Sequence, residues 1–116
     1  MRLLLADDQM KVRSALRLLL EQEPDLQVVG EAADATGLLW AVAEKEPDGV
    51  LLDWELPGLP AAQLIRLLKV ERPSLKIIAM SSRPDVAQLA RNESVPTFLS
   101  KSESPERVLS IIRAFL

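Results

Sequence analysis

The chain has 116 residues, a net charge of −3, no cysteine and no histidine, and is 48% hydrophobic with only 3% aromatic residues. That length fits one compact domain, residues 1–116, with an aliphatic core. The missing cysteines exclude disulfides, thiolate metal sites and cysteine nucleophiles, the missing histidines exclude imidazole bases and phosphohistidine, and the charge has the wrong sign for a surface that grips nucleic-acid phosphates.

Along the chain, short apolar runs alternate with helical stripes. Arg2–Ala6 is a continuous apolar run ending in acid, the pattern of a strand buried on both faces. It is too brief for a secretory signal, and no stretch of about 18 apolar residues follows, so no membrane association is expected. From Gln9 to Glu21 the apolar residues Val12, Ala15, Leu16, Leu19 and Leu20 recur at a helical period, and Pro24 ends the segment. Leu26–Gly30 reads as a second strand and Asp34–Glu46 as a second helix that Asp34 caps. After the turn at Pro47-Asp48-Gly49, Val50–Leu52 forms a third strand with Asp53 at its carboxyl end. Ala61–Glu71 is the third helix, Leu75–Met80 the fourth strand, and Pro84–Asn92 a short helix with proline in its first turn. Thr97–Leu99 is a brief fifth strand, and Pro105–Phe115 the closing helix, capped by Ser104.

Five strands alternating with five helices predict an α/β fold, a doubly wound five-stranded parallel sheet covered on both faces. In such sheets, sites form beyond the carboxyl ends of the strands. Asp7 and Asp8 follow the first strand, Asp53 ends the third, Ser81 follows the fourth and Lys101 the fifth. Two like charges about 4 Å apart repel by roughly 4 kcal/mol at an effective dielectric near 20, so three clustered carboxylates call for a cation. Ligands that are all oxygen, in an open and partly hydrated site, favour magnesium over a calcium cage. Lysine and serine opposite the metal are the groups that would hold a phosphoryl oxygen, and a carboxylate between them is a phosphoryl acceptor. Singly, each residue has an ordinary alternative. Asp7 and Asp8 suit a helix N-terminus, Asp53 a turn, Ser81 a helix cap and Lys101 the solvated surface. Their combination, at the ends of different strands, is the specific signal.

Several stretches extend the pattern. They are Leu4-Leu5-Ala6-Asp7-Asp8, Val28-Val29-Gly30-Glu31-Ala32, Pro47-Asp48-Gly49-Val50-Leu51-Leu52-Asp53-Trp54-Glu55-Leu56-Pro57-Gly58 and Phe98-Leu99-Ser100-Lys101. Over its whole length the chain resembles the receiver domains of two-component response regulators, which have a flavodoxin-like fold. The style is similar to receivers that precede a LuxR-type DNA-binding domain. The resemblance implies a signalling switch rather than an enzyme with an external substrate, beyond self-catalysed acceptance and hydrolysis. Asp53 would take a phosphoryl group from a sensor histidine kinase or a phosphotransfer protein. Asp7, Asp8 and the backbone carbonyl of Glu55 would hold magnesium with Asp53. Ser81 would move to the phosphoryl oxygen, Lys101 would pair with it, and Phe98 would be the switch aromatic. It further implies a cytoplasmic protein, a possible homodimer, and a downstream DNA-binding domain absent from this chain, with no direct nucleic-acid contact by the receiver itself.

There are departures from the family's pattern. Ser102 follows Lys101 where proline is common, which predicts a less rigid loop, and Ala61 stands where many members have glycine. The interval from Ser81 to Lys101 looks about two residues short, which predicts a trimmed fourth helix. Glu55 and Arg83, each two residues beyond a site position, are placed for a salt bridge across the site mouth that would hinder water or a phosphatase. Trp54 is expected on the opposite face of the sheet, and Trp40 on the second helix, at its surface or in the core. The last helix carries Val108, Leu109, Ile111, Ile112 and Phe115, more apolar residues than one buried stripe needs, and the surplus either meets a partner chain or a further domain or packs in the core with a few residues left exposed. Competing readings are an interaction module that signals without phosphorylation, a magnesium-dependent phosphohydrolase, which would want Asp-x-Asp after the first strand, and a flavin protein, which would want a phosphate loop there.

Overall fold

The structure is a computed structural model and describes residues 1–115. In chain order its elements are β1 (Arg2–Ala6), α1 (Met10–Glu21), β2 (Gln27–Ala32), α2 (Ala35–Lys45), β3 (Gly49–Asp53), α3 (Ala61–Glu71), β4 (Lys76–Ser81), α4 (Val86–Asn92), β5 (Phe98–Ser100) and α5 (Pro105–Phe115). The strands form one parallel sheet in the order β2-β1-β3-β4-β5. The chain leaves β1 in one direction for β2 and returns to the other side for β3. The crevice between the carboxyl ends of β1 and β3 is therefore the topological switch point, where open α/β sheets bind ligands.

Strand parity divides the apolar residues into two cores. Leu4, Val50, Leu52, Ile77 and Ala79 face α2, α3 and α4, while Leu3, Leu5, Leu51, Ile78 and Met80 face α1 and α5. This alternation is why β1, β3 and β4 read as continuous apolar runs, since neither face of the central strands meets water. In β3 all five residues are buried, Asp53 among them.

Several boundaries lie beyond or inside their expected positions. β2 runs to Ala32 rather than stopping at Gly30, and a register shift between Leu3 and Leu4 opposes Leu3 to Val28 and Leu4 to Gly30. A side chain at Gly30 would begin 2.9 Å from the Leu4 side chain, so the glycine makes room for Leu4 instead of ending the strand. β3 ends at Asp53 as expected, with Asp53 opposite Met80, and β4 runs one residue further than expected because Ser81 pairs with Ser100. Asp53 and Ser81 thus belong to the rigid sheet rather than to the loops after it.

Helix α2 begins at Ala35, with Asp34 as its cap: the Asp34 carboxylate accepts from the Gly37 N–H at 2.7 Å. Asp34→Ala is expected to cost about 1 kcal/mol, read as a lower urea midpoint with an unchanged m-value. Helix α4 is shorter than expected, starting at Val86 rather than Pro84, and Pro84 and Asp85 form the turn that leads into it. The Arg107 N–H donates to Ser104 Oγ at 3.3 Å, which makes Ser104 the cap of α5.

The surplus apolar residues of α5 are largely absorbed within the domain. Val108 and Ile112 are buried, and Leu109, Ile111 and Phe115 pack against the α1–α5 core. The large apolar side chains left in water lie elsewhere, with Met10 and Leu18 on α1, Trp40 on α2, Leu67 and Val70 on α3 and Leu89 on α4. Trp54 packs against the core of α2, α3 and α4, the face opposite Leu51.

Candidate functional site

Asp7 follows β1 and is buried. Its position is fixed at three points. Its N–H donates to the Ala32 carbonyl at 3.0 Å, its carbonyl accepts from Arg13 Nη1 at 2.6 Å, and its carboxylate Oδ1 accepts from the Gln9 N–H at 2.9 Å. That last bond goes to the residue ahead of α1, whose first turn holds no acid and whose start has no side-chain cap, and it occupies only one oxygen. Arg13 is itself held by Glu31, which also pairs with Arg17. Burial alone would raise the Glu31 carboxyl, but the two guanidiniums outweigh it and hold it below its ordinary value. This buttress beneath Asp7 was not legible in the sequence, because Arg13 and Glu31 lie on different elements and only the α1–β2 contact joins them.

Asp53 closes β3 with its side chain 2% exposed. Oδ1 accepts from the Glu55 N–H at 3.1 Å and stands 3.3 Å from Lys101 Nζ. Burial pushes the Asp53 carboxyl above its ordinary value and the neighbouring Asp7 charge adds to this, against the opposing pull of the Glu55 N–H and Lys101.

Lys101 lies just beyond β5 and turns its ammonium into the crevice, 2.7 Å from Asp7 Oδ2. Burial would lower its proton affinity, but the contact with Asp7 and the charge of Asp53 overcome this and hold it above the usual lysine value. The loop that carries it is tied down despite the absence of proline at position 102. The Lys101 N–H donates to the Ser81 carbonyl at 3.0 Å, Ser100 and Ser102 share a hydroxyl contact of 2.8 Å, and the Glu103 N–H reaches the Ser100 carbonyl at 3.2 Å. The glycine freedom that Ala61 lacks is found in Gly58 instead. It adopts φ 115°, and a Cβ there would sit 3.0 Å from that of Ala35 and 3.2 Å from the Ala35 nitrogen.

Asp7, Asp8 and Asp53 each offer a carboxylate oxygen, and these oxygens lie within 4.8 Å of one another. Asp7 Oδ2 is buried and has no aligned hydrogen-bond donor, only the charge of Lys101 beside it. An all-oxygen cluster with a buried, under-satisfied oxygen fits a hard divalent cation such as magnesium.

Ser81 ends β4 and is fully buried. Its hydroxyl donates to Glu55 Oε1 at 3.0 Å and accepts from the Arg83 N–H at 3.0 Å. Arg83 Nη1 stands 3.3 Å from Glu55 Oε2, so the salt bridge expected at the site mouth is present, and Arg83 is further held by Asp85 at 2.7 Å. What the sequence reading missed is the bond between the Glu55 carboxylate and Ser81. Phe98, on β5, is half-buried and packs against the core of α2, α3 and α4.

The crevice thus brings together Asp7, Asp8, Asp53 and Lys101, with Ser81 and Glu55 at its rim. Comparison with known proteins gives the arrangement a family. Residues 3–113 match the family model of the response regulator receiver domain. The chain is 31% identical over 111 residues to the uncharacterized transcriptional regulatory protein YhcZ of Bacillus subtilis, covering 94% of this chain and 52% of that protein. It is 30% identical over 115 residues to the transcriptional regulatory protein LiaR of the same organism, covering 97% of this chain and 54% of that protein. The chain thus spans about half the length of these curated relatives. Among solved structures it is similar to a two-component response regulator of the LuxR family from Aurantimonas sp., with TM-score 0.88, 30% identity, and 97% of this chain and 82% of that one covered. It is also similar to RcsB of Salmonella enterica bound to a promoter in the presence of a phosphomimetic, with TM-score 0.90, 26% identity, and 99% of this chain and 98% of that one covered. This chain belongs to the response regulator receiver domain family, the phosphorylation-switched signalling modules of two-component systems.

Proposed function

We propose that this domain is a phosphorylation-dependent switch whose acceptor is Asp53. The observation that carries the reading is the pairing of a buried, burial-perturbed Asp53 carboxylate with the Lys101 ammonium at 3.3 Å, beside two further carboxylates. The donor would be a phosphohistidine on a sensor histidine kinase or a phosphotransfer protein, since this chain has no histidine of its own. An Asp53 carboxylate oxygen attacks phosphorus, the bond from phosphorus to the donor's imidazole nitrogen breaks, and its electron pair leaves with the imidazole. Lys101 neutralises charge on the phosphoryl oxygens, and the rigid ends of β1 and β3 hold acceptor and counter-charges in register. Asp7, Asp8 and Asp53, with the backbone carbonyl of Glu55, would hold magnesium, which when bound offsets the charge of the incoming phosphoryl group. Ser81 would then turn to a phosphoryl oxygen, and Phe98 would repack as the serine leaves its present place.

The proposed partners follow the same logic. Between α1 and the β5–α5 loop lies an apolar groove of about 610 Å³, lined by Leu16, Leu19, Leu99, Pro105 and Val108, with Lys101 at its edge. A partner seated there would touch Lys101, whose ammonium stands 3.3 Å from Asp53. This surface suits the phosphodonor, or a second copy of the chain in a homodimer. A downstream DNA-binding output domain and a cytoplasmic setting are proposed by analogy with the transcriptional regulators it matches over half their length. No helix among the described residues is long and apolar enough to cross a membrane.

The test is intact mass after incubation with acetyl phosphate, with and without magnesium, beside Asp53→Ala. The expected result is a magnesium-dependent gain of one phosphoryl group that the variant lacks. A folded, magnesium-binding protein that gains nothing from acetyl phosphate or from any cognate kinase would instead be an interaction module that signals without phosphorylation.

A further inference from the structure

We propose that Glu55 is a positioning residue that latches Ser81 in its unphosphorylated arrangement, and that Arg83 holds the latch in place. The inference rests on Asp53 being the phosphoryl acceptor. A serine hydroxyl has a single proton to donate. Here that proton goes to Glu55 Oε1 at 3.0 Å, and a lone pair takes the Arg83 N–H at 3.0 Å. Ser81 is fully buried, so no solvent stands ready to replace either partner. Glu55 is tethered on its other side, where Oε2 lies 3.3 Å from Arg83 Nη1, and Arg83 is in turn bound by both oxygens of Asp85, at 2.7 and 3.3 Å.

A phosphoryl oxygen on Asp53 would need the proton that Glu55 now holds. The two acceptors compete for one proton, both are anionic, and the Glu55 carboxylate is the one already in place. Glu55 therefore acts as an internal competitor of the phosphoryl group, and the ease of releasing Ser81 sets how firmly that group is held. The hydroxyl contact separates this role from a purely electrostatic one, in which Glu55 would only repel the phosphoryl charge. A charge effect needs no Ser81, whereas a latch acts only through it.

The first measurement uses the unphosphorylated protein: the three-bond Hα–Hβ couplings of Ser81. The wild type should show one side-chain rotamer. Glu55→Gln, which keeps the accepting oxygen without the charge, should keep it, and Glu55→Ala should show averaging. The second is the affinity for beryllofluoride with magnesium, read from Trp54 fluorescence. Glu55→Ala should tighten binding about fivefold, the order expected for losing one half-exposed charge-assisted hydrogen bond. In a Ser81→Ala background the same substitution should change it by less than about twofold, because coupled residues are not additive. A single Ser81 rotamer in Glu55→Ala, or an equal gain in both backgrounds, overturns the latch. A wild-type protein that binds no beryllofluoride would count against the acceptor reading, while the couplings still decide whether the latch exists.

Discussion

Lys101→Met is expected to destabilise the magnesium-free protein by about 2–3 kcal/mol. Its ammonium lies 2.7 Å from Asp7 and 3.3 Å from Asp53, two carboxylates with side chains 1% and 2% exposed. Removing one member of a buried ionic group costs roughly 3–5 kcal/mol, because the remaining charge has lost both water and partner. The lower figure reflects the 19% exposure of the Lys101 side chain, which lets solvent screen part of the loss. Magnesium should recover most of the deficit, since a cation among the three carboxylates replaces the missing charge. For the same reason the variant should bind magnesium roughly tenfold more tightly than the wild type, a modest part of the full Coulomb interaction at this distance. Phosphoryl uptake should nevertheless fall by roughly 10- to 100-fold, because the cation opposite the metal is lost where charge develops. Urea unfolding with and without magnesium, a magnesium titration and the rate of mass gain from acetyl phosphate check the three parts. A variant as stable as the wild type without magnesium would show that Lys101 does not compensate the carboxylates.

Leu51→Ala should cost about 3–4 kcal/mol without touching any polar group. Leu51 is fully buried in β3, the middle strand, and packs in the α1–α5 core with Leu3, Leu5 and Ile78. Large-to-small changes at such sites lose transfer free energy and leave a cavity that closely packed neighbours cannot fill. For a domain whose whole stability is of the order of 5–15 kcal/mol, this is a large fraction, and the melting temperature should fall by roughly 10 °C or more. Val70→Ala is the control: Val70 is 81% exposed on α3, and its truncation should fall within about 0.5 kcal/mol. Equal losses at the two positions would mean that the apolar surface of α3 is buried in solution. Because Leu51 lies two residues before Asp53, its loss should also loosen the end of β3, which hydrogen exchange of the Asp53 amide would register.

Much of this was legible from residue order alone. Continuous apolar runs flanked by helical stripes fixed the number and type of the elements, since a strand buried on both faces has no polar positions to alternate. The acids after β1, the acid ending β3 and the lysine after β5 were readable as one site, because a doubly wound parallel sheet brings the carboxyl ends of its strands to one edge. Boundaries were less legible. Gly30 read as a strand end, yet it lies inside β2 because Leu4 needs the space a side chain would take. Pro84 read as the start of a helix, yet it belongs to the turn before α4. The apolar excess of α5 left core packing and a surface for another molecule both open, and Leu109, Ile111 and Phe115 pack onto this chain's own core.

The sequence by itself determined the architecture and the membership of the site, since periodicity and the chemistry of residue types are local properties that survive without coordinates. Only the tertiary structure decided who holds whom. Arg13 fastens the Asp7 carbonyl, Lys101 leans nearer to Asp7 than to Asp53, and the Glu55 carboxylate takes the proton of Ser81. The Lys101 and Ser81 pairings join elements far apart in the chain, the Arg13 bond spans only the turn from β1 into α1, and hydrogen bonds are won or lost over tenths of an ångström. Their outcome depends on strand register and loop closure, which no local pattern of residues encodes.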